Sequence, residues 1–109
     1  MSSEYPNFVP TWERAAWDAV PSHNHGGLQR YIENGIIPGD FLTAVLENNL
    51  MRALGKADEI NRYRLFEIAS FLYNAAPSQC YGSPHAVREW STLGGLNGIR
   101  AMNERAVMG

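Results

Sequence analysis

The sequence predicts an all-α domain, and three observations support that prediction. Apolar residues recur at helical spacing along most of the chain, and no stretch of useful length alternates in the manner of a strand. Glycine and proline separate the helical stretches from one another. The clearest signal is an antiparallel helical hairpin, predicted at residues 40–54 and 58–76, with short helices on either side.

The first helix of the hairpin has a marked start and one apolar face. Pro38 and Gly39 interrupt the chain, and the Asp40 carboxylate can accept hydrogen bonds from the free amides of the first turn. One face then collects the apolar residues Leu42, Val45, Leu46, Leu50, Ala53 and Leu54. We expect the helix to close at Gly55, because glycine suits the left-handed residue after a helix end.

The second helix of the hairpin carries a broader apolar stripe. Its members are Ile60, Leu65, Ile68, Phe71, Leu72 and Ala75. Pro77 lacks an amide hydrogen and therefore ends the helix. Because only a few residues join the two helices, they must run antiparallel.

The chain divides into three predicted regions: an extended arm at residues 1–10, a helical domain at residues 11–95 and a marginal tail at residues 96–109. Pro6 and Pro10 disfavour a helix in the arm. The tail has few large apolar side chains, so we expect at most a weak helix there, whose order depends on a partner.

Two further expectations concern burial within the helical domain. Thr11 can cap a first helix, on which Trp12 faces the core and Trp17 lies partly off the apolar side. Ile36 and Ile37 connect a short helix to the hairpin. We expect both to be buried, because adjacent isoleucines are seldom left in water.

Size and charge restrict the class of protein. A chain of 109 residues, 45% of them hydrophobic, is of the size of one domain. The net charge of −2 argues against a nucleic-acid partner, because such binders gain affinity largely by neutralising phosphates. No run of about 18 apolar residues and no secretory signal pattern is present. We therefore expect a cytoplasmic protein with no membrane partner.

Residue types that could carry chemistry are present but poorly spaced. His23, His25, Cys80 and His85 are of the types that bind zinc, yet their spacing does not match the close ligand pairs of structural zinc sites. Whether they bind a metal depends on how the fold places them. The carboxylates are spread over helix faces, and there is no glycine-rich phosphate loop. The sequence thus predicts no metal, no cofactor, no catalytic residue and no enzyme activity.

The first candidate for binding is a polar patch in the opening helix of the hairpin, which consists of Thr43, Glu47, Asn48, Asn49 and Arg52. Two adjacent asparagines, Asn48 and Asn49, are unusual in the middle of a helix. The alternative is that they cap a local turn or face water.

The second candidate is the start of the helix predicted after Pro84, with Tyr81, Gly82, Ser83 and Arg88 as its members. Free amides at a helix start can receive an anion, and Arg88 lies one turn further on. The Tyr81 ring can stack on a base. The alternative is a simple serine cap beside a packed tyrosine.

Three stretches carry a resemblance to a known family. Residues 27–50 read GLQRYIENGIIPGDFLTAVLENNL, residues 72–77 read LYNAAP and residues 81–84 read YGSP. Over about residues 27–90 the chain resembles a family of short, uncharacterised helical proteins encoded by bacteriophages, prophages and plasmids. The resemblance implies a mobile-element setting and no catalytic residue. Small accessory proteins of this setting often act against host defence, by binding a defence protein or by sequestering a nucleotide signal.

We therefore expect a non-catalytic binding protein of a phage or mobile element, acting in counter-defence on a nucleotide-type signal or a host protein. The aromatic content of 11% predicts a homo-oligomer, because so many rings are hard to bury in one short helical domain. One alternative is a helix-turn-helix transcriptional regulator, with residues 28–34 supporting and residues 40–54 reading the DNA. Asp40 and Glu47 oppose that role because they would approach phosphates. Another alternative is a phage structural or assembly protein.

Overall fold

A computed structural model describes the backbone of residues 5–108 and the side chains of residues 5–106. Over this range the chain forms helices and no strand, which confirms the all-α prediction. The helices are α1 (Arg14–Ala19), α2 (His25–Asn34), α3 (Asp40–Leu46), α4 (Leu50–Lys56), α5 (Glu59–Tyr63), α6 (Leu65–Ala75), α7 (Pro84–Leu93) and α8 (Gly95–Met108). Short 3-10 turns occupy Thr11–Glu13, Ser22–Asn24 and Ser78–Cys80. No helix in the described range is both long and apolar enough to cross a membrane.

Helix α2 joins distant parts of the chain through Tyr31, whose side chain is fully buried. The Tyr31 hydroxyl donates a hydrogen bond to the carbonyl oxygen of Cys80 at 2.8 Å. The indole Nε1–H of Trp90 donates to the carbonyl oxygen of Tyr31 at 2.9 Å. These two bonds hold the Ser78–Cys80 turn and α7 against α2, and they satisfy polar groups that would be costly to bury alone.

The end of α2 lies directly against the start of α8. Gly35 and Gly95 both have left-handed backbone, with φ of 72° and 68°. A Cβ atom added at Gly95 would lie 2.6 Å from the amide nitrogen of Asn34. Residue 95 must adopt a left-handed backbone and must leave room for the backbone of Asn34. Only glycine does both, because a side chain would strain the backbone and collide with Asn34.

Helix α8 occupies the region for which the sequence indicates only a weak helix. It packs against α2 and α7, and Leu96 and Ile99 are partly buried against the core. The Asn97 amide Nδ2–H donates to Asn34 Oδ1 at 2.9 Å. These contacts are made by residues far apart in the chain, so local propensity does not reveal them.

Trp17, and not Trp12, enters the core. Trp17 is buried and its ring stacks on His25 at a centroid distance of 4.1 Å and meets Phe71 at 5.1 Å. Trp12 is 81% exposed, so the prediction that it faces the core is wrong. The reason is local: the Thr11–Glu13 turn precedes α1 and does not continue its helical phase.

The described part of the N-terminal arm lies on the domain. Residues 1–4 of the predicted arm lie outside the described residues. Val9 is buried, and its N–H donates to the carbonyl oxygen of Pro6 at 3.0 Å, so the arm contains a turn. The Tyr5 hydroxyl donates to Asp18 Oδ2 at 2.7 Å and holds the arm to α1.

Each helix predicted for the hairpin is interrupted once. The first breaks at residues 47–49 between α3 and α4, and the second breaks at Arg64 between α5 and α6. Gly55 does not close the first helix as expected, because α4 continues to Lys56 and ends where Ala57 turns to extended backbone. Glycine can adopt right-handed helical backbone as well as left-handed backbone, so Gly55 does not force α4 to end.

The interruptions change which apolar residues are buried. A break rotates the following segment about its axis, so that in α4 the small Ala53 is buried and larger residues face outward. Ile36 and Ile37, in the connector between α2 and α3, are likewise exposed to solvent. The domain has principal extents of 49 × 38 × 19 Å, about two helices thick, which limits its core. The expected burial is wrong for five exposed residues: Leu50, Leu54, Ile60, Ile36 and Ile37.

We expect the protein to lose stability at alkaline pH. Burial raises the pKa of the Cys80 thiol from 9.0 to about 12, and burial, followed by the nearby Cys80 and Glu47, raises the pKa of Tyr31. Above pH 9 the unfolded chain releases protons that the folded chain retains, so the free energy of unfolding falls as the pH rises towards 12. Urea denaturation between pH 7 and pH 11 would measure this.

The matched variant for this experiment is Cys80→Ala, in which the free energy of unfolding should fall less steeply with pH above pH 9. A second check is alkylation by iodoacetamide, because the thiolate is the reacting form. Native Cys80 should react far more slowly than Cys80 in urea. Equal rates would show that the thiol is not enclosed in the fold.

Candidate functional site

An open groove lies where α3, α4, α6 and the loop before α7 meet. It consists of two cavities, of about 100 Å³ and about 240 Å³, which share the lining residues Val45, Asn48 and Ala69 and therefore lie side by side. We call it the Asn48 groove. Its lining residues are Val45, Asn48, Asn49, Leu50, Ala53, Leu65, Ala69, Leu72, Tyr81 and Gly82.

The two asparagines at one side of the groove end one helix and begin the next. Asn48 has a φ of 63° and is the one residue other than glycine with a positive φ in the described range. The N–H of Asn48 donates to the Val45 carbonyl and that of Asn49 to the Ala44 carbonyl, a pattern that closes α3 with a left-handed residue. The Asn49 side chain then accepts from the backbone N–H of Arg52 and caps α4.

The loop before α7 forms the opposite side of the groove. The N–H of Gly82 donates to the carbonyl oxygen of Leu46 at 2.7 Å, which occupies an acceptor left free at the end of α3. Gly82 has a φ of 125°, a conformation that other residues rarely adopt. This bond brings Tyr81 and Gly82 to the same groove as Asn48, although the two candidate patches are far apart in the sequence.

The remaining predicted site residues lie outside the groove. The Ser83 Oγ accepts a hydrogen bond from the N–H of Ala86 at 3.0 Å and caps α7. Arg88 and Arg52 are exposed on α7 and α4, and neither lines the groove. The groove therefore has no charged residue among those that line it, and its chemistry is that of an apolar surface with amide and phenol groups.

Tyr81 is half-buried at the edge of the groove. Burial raises the pKa of its hydroxyl, and the neighbouring Cys80 and Tyr73 raise it further. Tyr81 is therefore a neutral phenol at physiological pH, with a hydroxyl able to donate a hydrogen bond and a ring face able to pack on an apolar group.

The residues of zinc-binding type are not gathered. His23 Nε2 lies 3.1 Å from Asp58 Oδ2, and the pKa of Asp58 is lowered by the backbone N–H of Asn61 and then by His23. The Nε2–H of His25 donates to the carbonyl oxygen of Trp17 at 2.9 Å. Among residues 5–106, no three side chains of His, Cys, Asp or Glu form a cluster that could hold a metal ion.

Sequence reasoning missed the apolar part of the groove. Val45, Leu65 and Leu72 were expected in the contact between the hairpin helices. Leu72 is buried and the other two are partly buried against the core, but all three also line the groove. The available signal was the small size of Ala53 and Ala69, because small residues leave space between neighbouring helices.

The left-handed conformation of Asn48 predicts that two substitutions differ in their effect on stability. Asn48→Gly should leave the free energy of unfolding within about 0.5 kcal/mol of the parent, because glycine adopts this conformation freely. Asn48→Ala should lower it by about 1 kcal/mol, because a Cβ atom is strained there. Urea denaturation of both variants tests this, and equal stability of the two would show that residue 48 is not left-handed in solution.

Comparison of the chain with protein-family models, with curated proteins and with solved structures gave no match.

Proposed function

We propose that this chain is a non-catalytic binding protein that receives an apolar segment of a partner protein in the Asn48 groove. The observation that carries the proposal is the groove itself, which is open, uncharged and lined mostly by apolar side chains. Such a surface favours an apolar occupant, because burying apolar area contributes roughly 25 cal/mol per Å².

Exposed side chains on the same helices also favour a protein partner with an apolar surface. Leu50 lines the groove and is 59% exposed, and α4 and α6 also present Met51, Phe66 and Tyr73 to solvent, each more than three-quarters exposed. Aromatic residues and methionine are enriched at the centres of protein interfaces. The same side chains support self-association, so we propose that the protein is also a homo-oligomer.

The setting that we propose is counter-defence in a phage or other mobile element, with a host defence protein as the partner. This part of the proposal rests on the resemblance of residues 27–90 to proteins of mobile elements. A helix-turn-helix regulator is less well supported, because the helix that would read DNA ends at Leu46. Anion binding at Ser83 is less well supported, because the Ser83 hydroxyl already caps α7 and no arginine lines the groove.

The docking proposal predicts that a charge placed in the groove removes the partner. Ala69→Glu puts a carboxylate into the groove from an exposed position on α6, where a carboxylate costs little stability in the free protein. In a complex that carboxylate would be buried without a partner. We expect the affinity for the partner to fall at least about tenfold, equal to about 1.4 kcal/mol.

The measurement is photo-crosslinking in the host cell, with a benzophenone side chain in place of Leu50. Ala15→Glu is the matched control, because Ala15 is an exposed alanine on α1 outside the groove. We expect one discrete product with a second protein, lost with Ala69→Glu and retained with Ala15→Glu. Products with this chain alone would reassign the groove to self-association, and a product indifferent to Ala69→Glu would rule out docking there.

A further inference from the structure

A second cavity, of about 340 Å³, lies between the Ser22–Asn24 turn, α2, the start of α3 and α5. It shares no lining residue with the Asn48 groove, so binding in this cavity does not depend on docking in the groove. Its volume falls within the roughly 300–1,000 Å³ of small-molecule pockets. Its lining differs in kind as well, because it combines apolar walls with two buried amide side chains.

The amides belong to Asn24 and Asn61, which are only 5% and 4% exposed. Asn24 Nδ2–H donates to Asn61 Oδ1 at 2.6 Å. A primary amide has two N–H donors and a carbonyl acceptor, so this single bond leaves the Asn24 carbonyl and the Asn61 amino group available.

No other described residue bonds to these remaining amide groups. Within the described range, no fully buried side-chain nitrogen or oxygen atom lacks a partner. Neither remaining amide group is therefore sealed off from solvent, and both residues line this cavity. The cavity is thus where a ligand could meet an acceptor on Asn24 and a donor on Asn61.

Neighbouring contacts hold this pair in place. The backbone N–H of Asn61 donates to Asp58 Oδ1 at 2.7 Å, and Asp58 Oδ2 contacts His23 Nε2 at 3.1 Å. The two asparagines are therefore anchored on both sides, one through α5 and the other through the Ser22–Asn24 turn. A donor and acceptor fixed before binding lose little entropy when a ligand arrives.

The other lining residues include one aromatic residue and charges of both signs. Phe41 is the aromatic residue, and Arg30 is the cation that borders the cavity, with its guanidinium near Gly26. His23 also borders the cavity, while its partner Asp58 is a neighbouring anion. The Asp40 carboxylate at the rim lies 3.9 Å from Lys56 Nζ, which offsets its charge.

We propose that this cavity binds a nucleobase-type ring, a planar heterocycle whose edge carries a donor next to an acceptor. The Asn24 carbonyl and the Asn61 amino group pair with that edge, as asparagine side chains do with base edges elsewhere. The ring lies against Phe41, and a phosphate on the ligand is near Arg30. The site serves a nucleoside monophosphate or a larger nucleotide.

The test is an NMR titration of the isotope-labelled full chain that follows the side-chain amide signals of Asn24 and Asn61. The probes are the adenosine, guanosine, cytidine and uridine 5′-monophosphates, with N3-methyluridine 5′-monophosphate as the matched probe that lacks the ring N–H. We expect saturable shifts of both amide signals with at least one base. If that base is uracil, methylation should weaken binding about tenfold. No saturable shift with any base, or shifts confined to Asn48 and Tyr81, would overturn the proposal.

Three variants locate the interaction. Asn61→Asp exchanges the donor for an acceptor at equal size and should weaken binding at least about tenfold. Arg30→Gln should weaken the monophosphate and leave the matching nucleoside unchanged, and it keeps the test valid if Asn61→Asp fails to fold. Arg62 is an exposed arginine on α5 outside the cavity, so Arg62→Gln should change the binding of neither the monophosphate nor the nucleoside. Equal losses with Arg30→Gln and Arg62→Gln would indicate nonspecific anion binding and overturn the proposal.

Discussion

The buried hydrogen bonds of Tyr31 are the interaction on which the rest of this structure depends. Its hydroxyl holds the carbonyl of Cys80 and its own carbonyl accepts from Trp90, so one residue of α2 positions both the turn before α7 and α7 itself. The next residues of that turn then reach the end of α3, where Gly82 donates to Leu46. Because these polar groups have no access to water, loss of either bond leaves an unsatisfied group in the core. The Asn48 groove exists because this chain of contacts sets Tyr81 opposite Asn48.

Helix interruptions are the second determinant of the surface. The chain could have formed two long helices with one buried stripe. Instead, the break at Asn48 leaves Leu50 and Leu54 of α4 exposed, and the break at Arg64 separates α5, where Ile60 is exposed, from α6, which keeps its buried stripe. Ala53 is buried and Ala69 is exposed, and both are small enough to leave an open groove, while larger apolar residues meet solvent. An apolar surface of this kind destabilises an isolated protein in water relative to a fully packed one, and it suits a protein that works by association.

Helix α3 contributes to both proposed sites with its two ends. Asp40 and Phe41 border the cavity of the asparagine pair, and Val45 lines the Asn48 groove. The two sites differ in the interactions that they offer a ligand. The groove is uncharged and mostly apolar, and hydrophobic contacts of that kind suit an apolar protein segment. The cavity offers a hydrogen-bond donor and acceptor, which suit a small polar ring. A single short helix thus separates a surface for association from a pocket for recognition.

The sequence by itself determined the all-α class and the helix starts near residues 40 and 84, although Gly39 and not the Asp40 side chain precedes the first of these. It also indicated Asn48, Tyr81 and Gly82 as candidates, and only the fold brings these three to one groove. Those features depend on local chemistry, because caps, turns and helical spacing involve residues close in the chain. Other features required the tertiary structure. The contact of Trp17 with Phe71, the pairing of Asn24 with Asn61 and the packing of α8 through Gly95 join residues far apart in sequence. No local pattern encodes such contacts, because their free energy arises only when the segments meet.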